Sequence, residues 1–218
     1  MLKNGLLALA ALLLVALGLF ASPIIAQLGA PDDTEALLGA MAIKEGDWVA
    51  DVGSGEGEYT LPMAKAVGDS GRAFAVDIDE DDLEELNEEI KDREIENVTT
   101  VSSVYDNPML PRRSFDALLV RNAYHEFTAH EQMLDHLHAA LKPGGRLVMG
   151  EYIDDEMVER DREAQVDDHD LAMRYAREEL RQAGFKIVRE VDTLRYLDRH
   201  DSRFWMMVAT RPAADADA

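Results

Sequence analysis

The chain contains no cysteine, which excludes both disulfide staples and thiolate metal sites and leaves the redox compartment open. Lysine is scarce: in 218 residues only Lys3, Lys44, Lys65, Lys91, Lys142 and Lys186 occur. Acidic residues number 44 against 22 basic ones, giving a net charge of −22. That charge is not confined to one tail, so phosphate backbones and anionic lipid surfaces are repelled and nucleic acid is not expected as a partner. Many carboxylates with few lysines is also the surface composition of proteins from salt-loving organisms, an expectation about the host rather than the activity. Internal repeats are absent. Charge itself is missing from one stretch, since Asn4 to Pro31 holds no ionisable side chain. The 47% of hydrophobic residues is enough for one globular domain plus an extra segment.

What is present is concentrated in Val49-Ala50-Asp51-Val52-Gly53-Ser54-Gly55-Glu56-Gly57. The apolar run Trp48 to Val52 reads as a buried strand, and a helix is expected from about Glu58. Glycines at a strand-to-helix turn permit positive φ and let a ligand approach the backbone, beside the free N–H groups of a helix start. A dinucleotide fold would need G-x-G-x-x-G for its pyrophosphate. Here the spacing is Gly53-x-Gly55-x-Gly57, and the carboxylate of Asp51 would repel a pyrophosphate but suit an ammonium group. An ordinary βα turn would use the same glycines. The stretch closely resembles motif I of the class I S-adenosylmethionine-dependent methyltransferases, in which the loop wraps the amino-acid end of the cofactor.

Further strands are expected at Arg72 to Asp77, Val98 to Val101, Phe115 to Val120, Arg146 to Gly150, Phe185 to Val191 and Arg203 to Thr210. Helices are expected at 32–47, from the glycine loop to about Val67, at Glu80 to Arg93, from a Thr128-x-x-Glu131 capping box to Leu141, and at Asp167 to Ala183. On the acidic helix Leu83, Leu86 and Ile90 share one face, so the carboxylates stay solvated. Alternating strands and helices imply a parallel sheet covered on both faces. Leu110-Pro111-x-x-Ser114-Phe115-Asp116 with Arg121-Asn122-Ala123-Tyr124-His125-Glu126-Phe127 resembles motif IV of the same family. Lys142-Pro143-Gly144-Gly145 and Ala183-Gly184-Phe185 follow as its later landmarks, so the likeness covers about residues 36–211. It implies an α/β fold, a Rossmann-like class I methyltransferase sandwich with a seven-stranded, mostly parallel sheet and an antiparallel last strand. The domain is placed at residues 32–211, with a disordered tail at 212–218.

In open α/β sheets ligands bind beyond the C-terminal strand ends. Asp77, 24 residues after Gly53 and beside Ile78, suits the two hydroxyls of a ribose, while Asp79 reads as the cap of the next helix. The resemblance implies S-adenosylmethionine as cofactor, held by Asp51, Gly53, Ser54, Gly55, Gly57, Asp77, Ile78, Asp106 and Asn122. The family's Gly-Asp pair after strand three is missing, and Tyr105 or Asp106 stands in. Methyl transfer from a sulfonium needs orientation above all, and a base only where the acceptor loses a proton. Tyr124, His125 and Glu126 would sit beside the methyl group, with His125 the candidate base; the alternative is a lid of Tyr124 and Phe127 with His125 packed beneath. His130, His136 and His138 lack i, i+4 spacing and Asp167 to Asp170 read as a helix start, so no metal site is expected. His169 is a candidate for the substrate side of the pocket.

The expected activity is methyl transfer to a small-molecule acceptor. The alternatives are a non-catalytic cofactor-binding module at a membrane and an NAD(P)-dependent reductase, the second lacking its glycine turn. The uncharged run is long enough to span a bilayer, and Ser22-Pro23 with small residues near Ala26 and Ala30 would also suit a signal peptidase. Residues 1–31 are therefore read as an anchor or a cleaved signal peptide, with membrane attachment through residues 5–28 and a lipophilic acceptor, such as a quinone precursor, suggested by that geometry. Lys3 and the acidic flank would place the domain outside, whereas S-adenosylmethionine is cytoplasmic, and one lysine leaves the sidedness open.

Overall fold

The computed structural model describes residues 33–197 and 201–213. The hydrophobic segment 1–31 lies outside the described residues, as does most of the Ala/Asp tail. Among the described residues no helix is long and apolar enough to cross a membrane.

Seven strands form one sheet: β1 (Trp48–Val52), β2 (Arg72–Asp77), β3 (Val98–Ser102), β4 (Phe115–Arg121), β5 (Leu141–Asp154), β6 (Lys186–Leu197) and β7 (Ser202–Thr210). Their order is β3-β2-β1-β4-β5-β7-β6, with β1 to β5 parallel and β7 antiparallel to both its neighbours. Central strands read as continuous apolar runs because both faces are covered: Val49, Ala50, Leu118 and Leu119 have no exposed surface. The helices are α1 (Thr34–Met41), α2 (Thr60–Val67), α3 (Glu80–Asp92), α4 (His130–Ala140), α5 (Arg162–Asp167) and α6 (Met173–Gln182). Residues of α1 and α2 pack with Val49, Leu119 and Phe204, whereas those of α4 and α6 pack with Leu118, Leu147 and Trp205. On α3 the acidic side chains are solvated while Leu83 and Leu86 dock, and Asp79 caps its first turn through the N–H groups of Asp81 and Asp82.

Three local expectations are corrected. The Thr128 capping box does not form: Ala129 is the cap of α4, without a side-chain bond, because the helix begins one residue later than the box requires. The helix expected at Asp167 to Ala183 begins only at Met173, because a separate helix, α5, ends at Asp167 and residues 168–172 form the loop between the two. Asp170 explains the break, since its carboxylate accepts the N–H of Asp154 (3.1 Å) while Leu171 N–H bonds Tyr152 O (3.0 Å), tying this loop to β5 instead of a helix. Both β5 and β6 also run well past their expected ends, because long antiparallel pairing with β7 satisfies their backbone.

Candidate functional site

The strand order reverses between β1 and β4, and the segments following those strands meet at this switch. Gly53, Gly55 and Gly57 all have positive φ, of 79°, 49° and 85°. A Cβ on Gly53 would stand 2.3 Å from the Cβ of Ala123, and one on Gly57 2.6 Å from Leu86 Cδ1. Gly55 differs: its nearest neighbour would be Asp82 Oδ2 at 3.7 Å, so it faces free space. Two glycines thus let the loop pack tightly and the middle one offers bare backbone to a ligand.

Asp77 fixes that loop from the next strand. Its Oδ2 accepts the Gly55 N–H at 2.7 Å, and its Oδ1 accepts those of Ile78 (2.7 Å) and Asp79 (3.0 Å). Beyond it opens a cleft of about 380 Å³, lined among others by Gly55, Ile78, Val104, Tyr105, Asn122 and Phe127. Ile78, Val104 and Tyr105 are exposed apolar side chains there, at 44%, 47% and 71%. Such groups flanking a slot beside a carboxylate suit a flat base on a ribose. A second hollow of about 340 Å³ shares Gly53, Gly55 and Asn122 with the first and adds Ser54, Tyr59 and Arg121. A larger hollow, of about 630 Å³, opens by Arg72 and Asn97 at the beginnings of β2 and β3, and contains none of the candidate residues.

Beneath the loop Asp51 is buried and accepts the Thr60 hydroxyl at 2.8 Å. Burial, reinforced by the charge of Asp77, pushes its carboxyl up to about 7, against the pull of Thr60 and Arg121. Arg121 stands 5.2, 5.4 and 5.1 Å from the ring centroids of Tyr59, Tyr152 and Phe204, and its Nη2 donates to Asp33 (3.2 Å) and Tyr152 (3.0 Å). Asp33 also accepts the Tyr59 hydroxyl in a very short bond. Three rings and a buried carboxylate hold one guanidinium beside the glycine loop.

After β4, Asn122 adopts φ 50° and its N–H bonds Gly150 O at 2.7 Å. A single 3-10 turn, Tyr124–Glu126, follows. Its organiser is Glu151, which is wholly buried: Oε1 accepts the N–H groups of Ala123 (3.0 Å) and Tyr124 (2.6 Å), while Oε2 lies 2.8 Å from His125 Nδ1. Burial alone would lower the His125 pKa, but the hydrogen bond and charge of Glu151 outweigh it and the net direction is upward. His125 Nε2 lies 3.7 Å from Glu126, which lines the cleft, and its ring meets His169 edge to face at 5.7 Å.

The structure therefore lines the cleft with Gly53, Gly55, Asp77, Ile78 and Asn122, places Ser54 in the adjoining hollow, buries Asp51 beneath the loop with Gly57 packed behind it, and buries His125 beside the cleft-lining Glu126. Two predicted residues are placed elsewhere. Tyr124 is fully buried and spends its hydroxyl on Glu179 of α6 at 2.7 Å; burial and Glu179 push its pKa far up, which disfavours its use as an acid or base. Asp106 is exposed at the tip of a turn closed by Val104 and Asn107, and Ser103, Val104 and Tyr105 line the cleft in its place.

The fold is similar to that of an S-adenosylmethionine-dependent methyltransferase from Aquifex aeolicus, with a TM-score of 0.69 over 88% of this chain and 98% of that one, at 22% identity. Residues 49–145 match the model of a methyltransferase-domain family. Over that stretch the chain is similar to the methyltransferase-domain family, and its fold is that of the class I methyltransferases. Among relatives, the chain is 30% identical over 111 residues to the ubiquinone/menaquinone biosynthesis C-methyltransferase UbiE of Azotobacter vinelandii, covering 50% of this chain and 44% of that protein. It is 26% identical over 108 residues to a demethylmenaquinone methyltransferase of a Geobacillus species, covering 50% and 46%. The chain thus spans less than half the length of either relative.

The cofactor of this family, S-adenosylmethionine, fits the residues present. Bare backbone at Gly55, a carboxylate fixed at Asp77 and apolar walls at Ile78 and Tyr105 match its backbone-bound, ribose and adenine portions, and the buried Asp51, its pKa raised by burial, suits a cationic group beside the loop. Two residues of this site have no role in the sequence reading: Arg121 and Glu151. Glu151 stands one place beyond Gly150, the expected end of β5, so reading one residue past that strand would have found it.

Proposed function

We propose that this chain is an S-adenosylmethionine-dependent methyltransferase that transfers a methyl group to a small-molecule acceptor. The observation that carries the reading is the Gly53–Gly57 loop, held open at Gly55 by Asp77 and closed by packing at Gly53 and Gly57. When bound, the cofactor supplies a methyl group on a sulfonium, already activated toward a nucleophile. The protein then has three tasks. The loop and Asp77 orient the donor along the cleft. Ile78, Val104, Tyr105 and Phe127 keep water from it. His125, fixed through Nδ1 by Glu151, presents Nε2 beside the cleft-lining Glu126 to receive an acceptor's proton.

The relatives named for quinone biosynthesis, together with the uncharged run at 5–28, favour a lipophilic acceptor with an ionisable hydroxyl, taken from a membrane beside the domain. The acidic surface argues against RNA or DNA as acceptor. Incubation of the full chain with an isotopically labelled methyl donor and a lipid-containing extract tests this. The expected outcome is label in a small organic-soluble product, lost in His125→Ala although S-adenosylhomocysteine still raises the Tm. Transfer of no label, with the thermal shift intact, would instead support a cofactor-binding module. A thermal shift with NADH alone would support the reductase.

A further inference from the structure

Beside the cleft, the 3-10 turn and the loop between α5 and α6 bring together three donors: His125, Glu126 and His169. One ligand atom from each lies within 4.8 Å of the others. No distance along the sequence suggests the trio, since His169 arrives from a different loop. We infer that these residues form a binding site for a borderline divalent cation of the zinc type, with the remaining coordination position open toward the cleft.

Five features support this assignment. His125 Nδ1 is committed to Glu151 at 2.8 Å, which leaves the lone pair on Nε2; a buried carboxylate behind a histidine is the usual support of a metal-binding imidazole. Nε2 already stands 3.7 Å from a Glu126 oxygen, a separation that a shared ion closes by small rotations. The side chain of Glu126 is 66% exposed and His169 is exposed, so both can adjust, whereas His125 is fixed. The loop carrying His169 is held in place: its backbone is left-handed at φ 58°, Asp170 binds Asp154 N–H, and Trp205 Nε1 donates to Leu171 O at 2.6 Å. The groups acting electrostatically on His125 (Glu151, Glu126 and Asp170) are all acidic and suit a cation.

Two imidazoles and one carboxylate select zinc-type ions over magnesium, which prefers oxygen donors. Three protein ligands with an open position is the arrangement that admits a water or a substrate oxygen. An acceptor hydroxyl would bind the ion as its anion and release its proton to water, which makes it a better methyl acceptor. The single lone pair of Nε2 serves either the ion or a proton, so an ion in place replaces proton acceptance by His125.

The donor set alone carries this inference, and its test does not involve methyl transfer. The full chain, stripped with a chelator, is titrated with Zn²⁺ by calorimetry in excess Mg²⁺ and molar KCl, conditions that suppress binding to the acidic surface. The expected result is one saturable equivalent, weakened tenfold or more in both His169→Ala and Glu126→Gln, whose exposed positions preserve the fold. Co²⁺ in place of Zn²⁺ should give visible d–d absorption that His169→Ala abolishes. No saturable equivalent, or the same affinity in the variants as in the parent, would overturn the inference whether or not the chain transfers methyl groups.

Discussion

Asp51 offers a direct test of the cofactor reading, because burial raises its pKa against the pull of Thr60 and Arg121, and a cation bound beside the loop would lower it. Its carboxyl is held at about 7 rather than 3.8, and it is buried with the Thr60 hydroxyl as its hydrogen-bond donor. The sign follows from linkage. With the folded pKa raised, the contribution of the protonated group is fully present below the unfolded value and is lost as pH rises through the folded one. The shift corresponds to about 4 kcal/mol in all, accumulated at about 1.4 kcal/mol per pH unit. Asp51→Asn removes the titration, conserves the shape and keeps an oxygen for Thr60. Urea unfolding of parent and variant across the pH range should show the variant gaining on the parent by about 3 kcal/mol from about pH 5 to about pH 7, then a plateau. Taking the difference between the two proteins cancels the repulsion of the acidic surface, which both share. Saturating S-adenosylmethionine should flatten the slope in the parent, because an ammonium beside the loop stabilises the ionised carboxylate, and should leave the variant nearly unshifted. A stability difference independent of pH would refute the account of Asp51. A slope unaffected by the cofactor would refute its pairing with the ammonium.

The remaining predictions address the loop, the ribose contact and the surface. Gly53→Ala places a methyl 2.3 Å from Ala123 Cβ at φ 79°, and should cost about 3 kcal/mol in urea unfolding while abolishing the thermal shift with S-adenosylhomocysteine. Gly55→Ala meets only Asp82 Oδ2, at an ordinary 3.7 Å, so it should cost stability less but still weaken cofactor binding; equal destabilisation by both would refute the division of roles. Asp77→Ala leaves the N–H groups of Gly55, Ile78 and Asp79 without their acceptor, and calorimetry should show S-adenosylhomocysteine binding weakened tenfold or more, about 1.4 kcal/mol. With a net charge of −22, molar KCl should raise the Tm markedly by screening repulsion to about 3 Å. An unchanged Tm in salt would remove the basis for a salt-loving host.

The sequence by itself determined the sheet, the glycine loop and the cap at Asp79. These are local matters: apolar runs bounded by glycine mark buried strands, positive φ selects glycine, and an acid two residues past a strand end reaches the next helix. The acid at Asp77 was legible as well, because its position follows from where a strand stops. Other features depend on groups distant in sequence. The Thr128 box failed because its pattern fits a helix start one residue earlier than the chain takes. Tyr124 was drawn to Glu179, 55 residues away, and left the cleft. Glu151 reaches back to Ala123, Tyr124 and His125 because β4 and β5 are neighbours in register, with Arg121 opposite Gly150. Arg121 meets Asp33 across 88 residues, and His169 meets His125 only because Asp170 breaks a helix and ties its loop to β5. Periodicity reports which face a side chain takes on its own element. It does not report which other element stands opposite, and the tertiary structure alone decided that pairing of buried charge with buried charge.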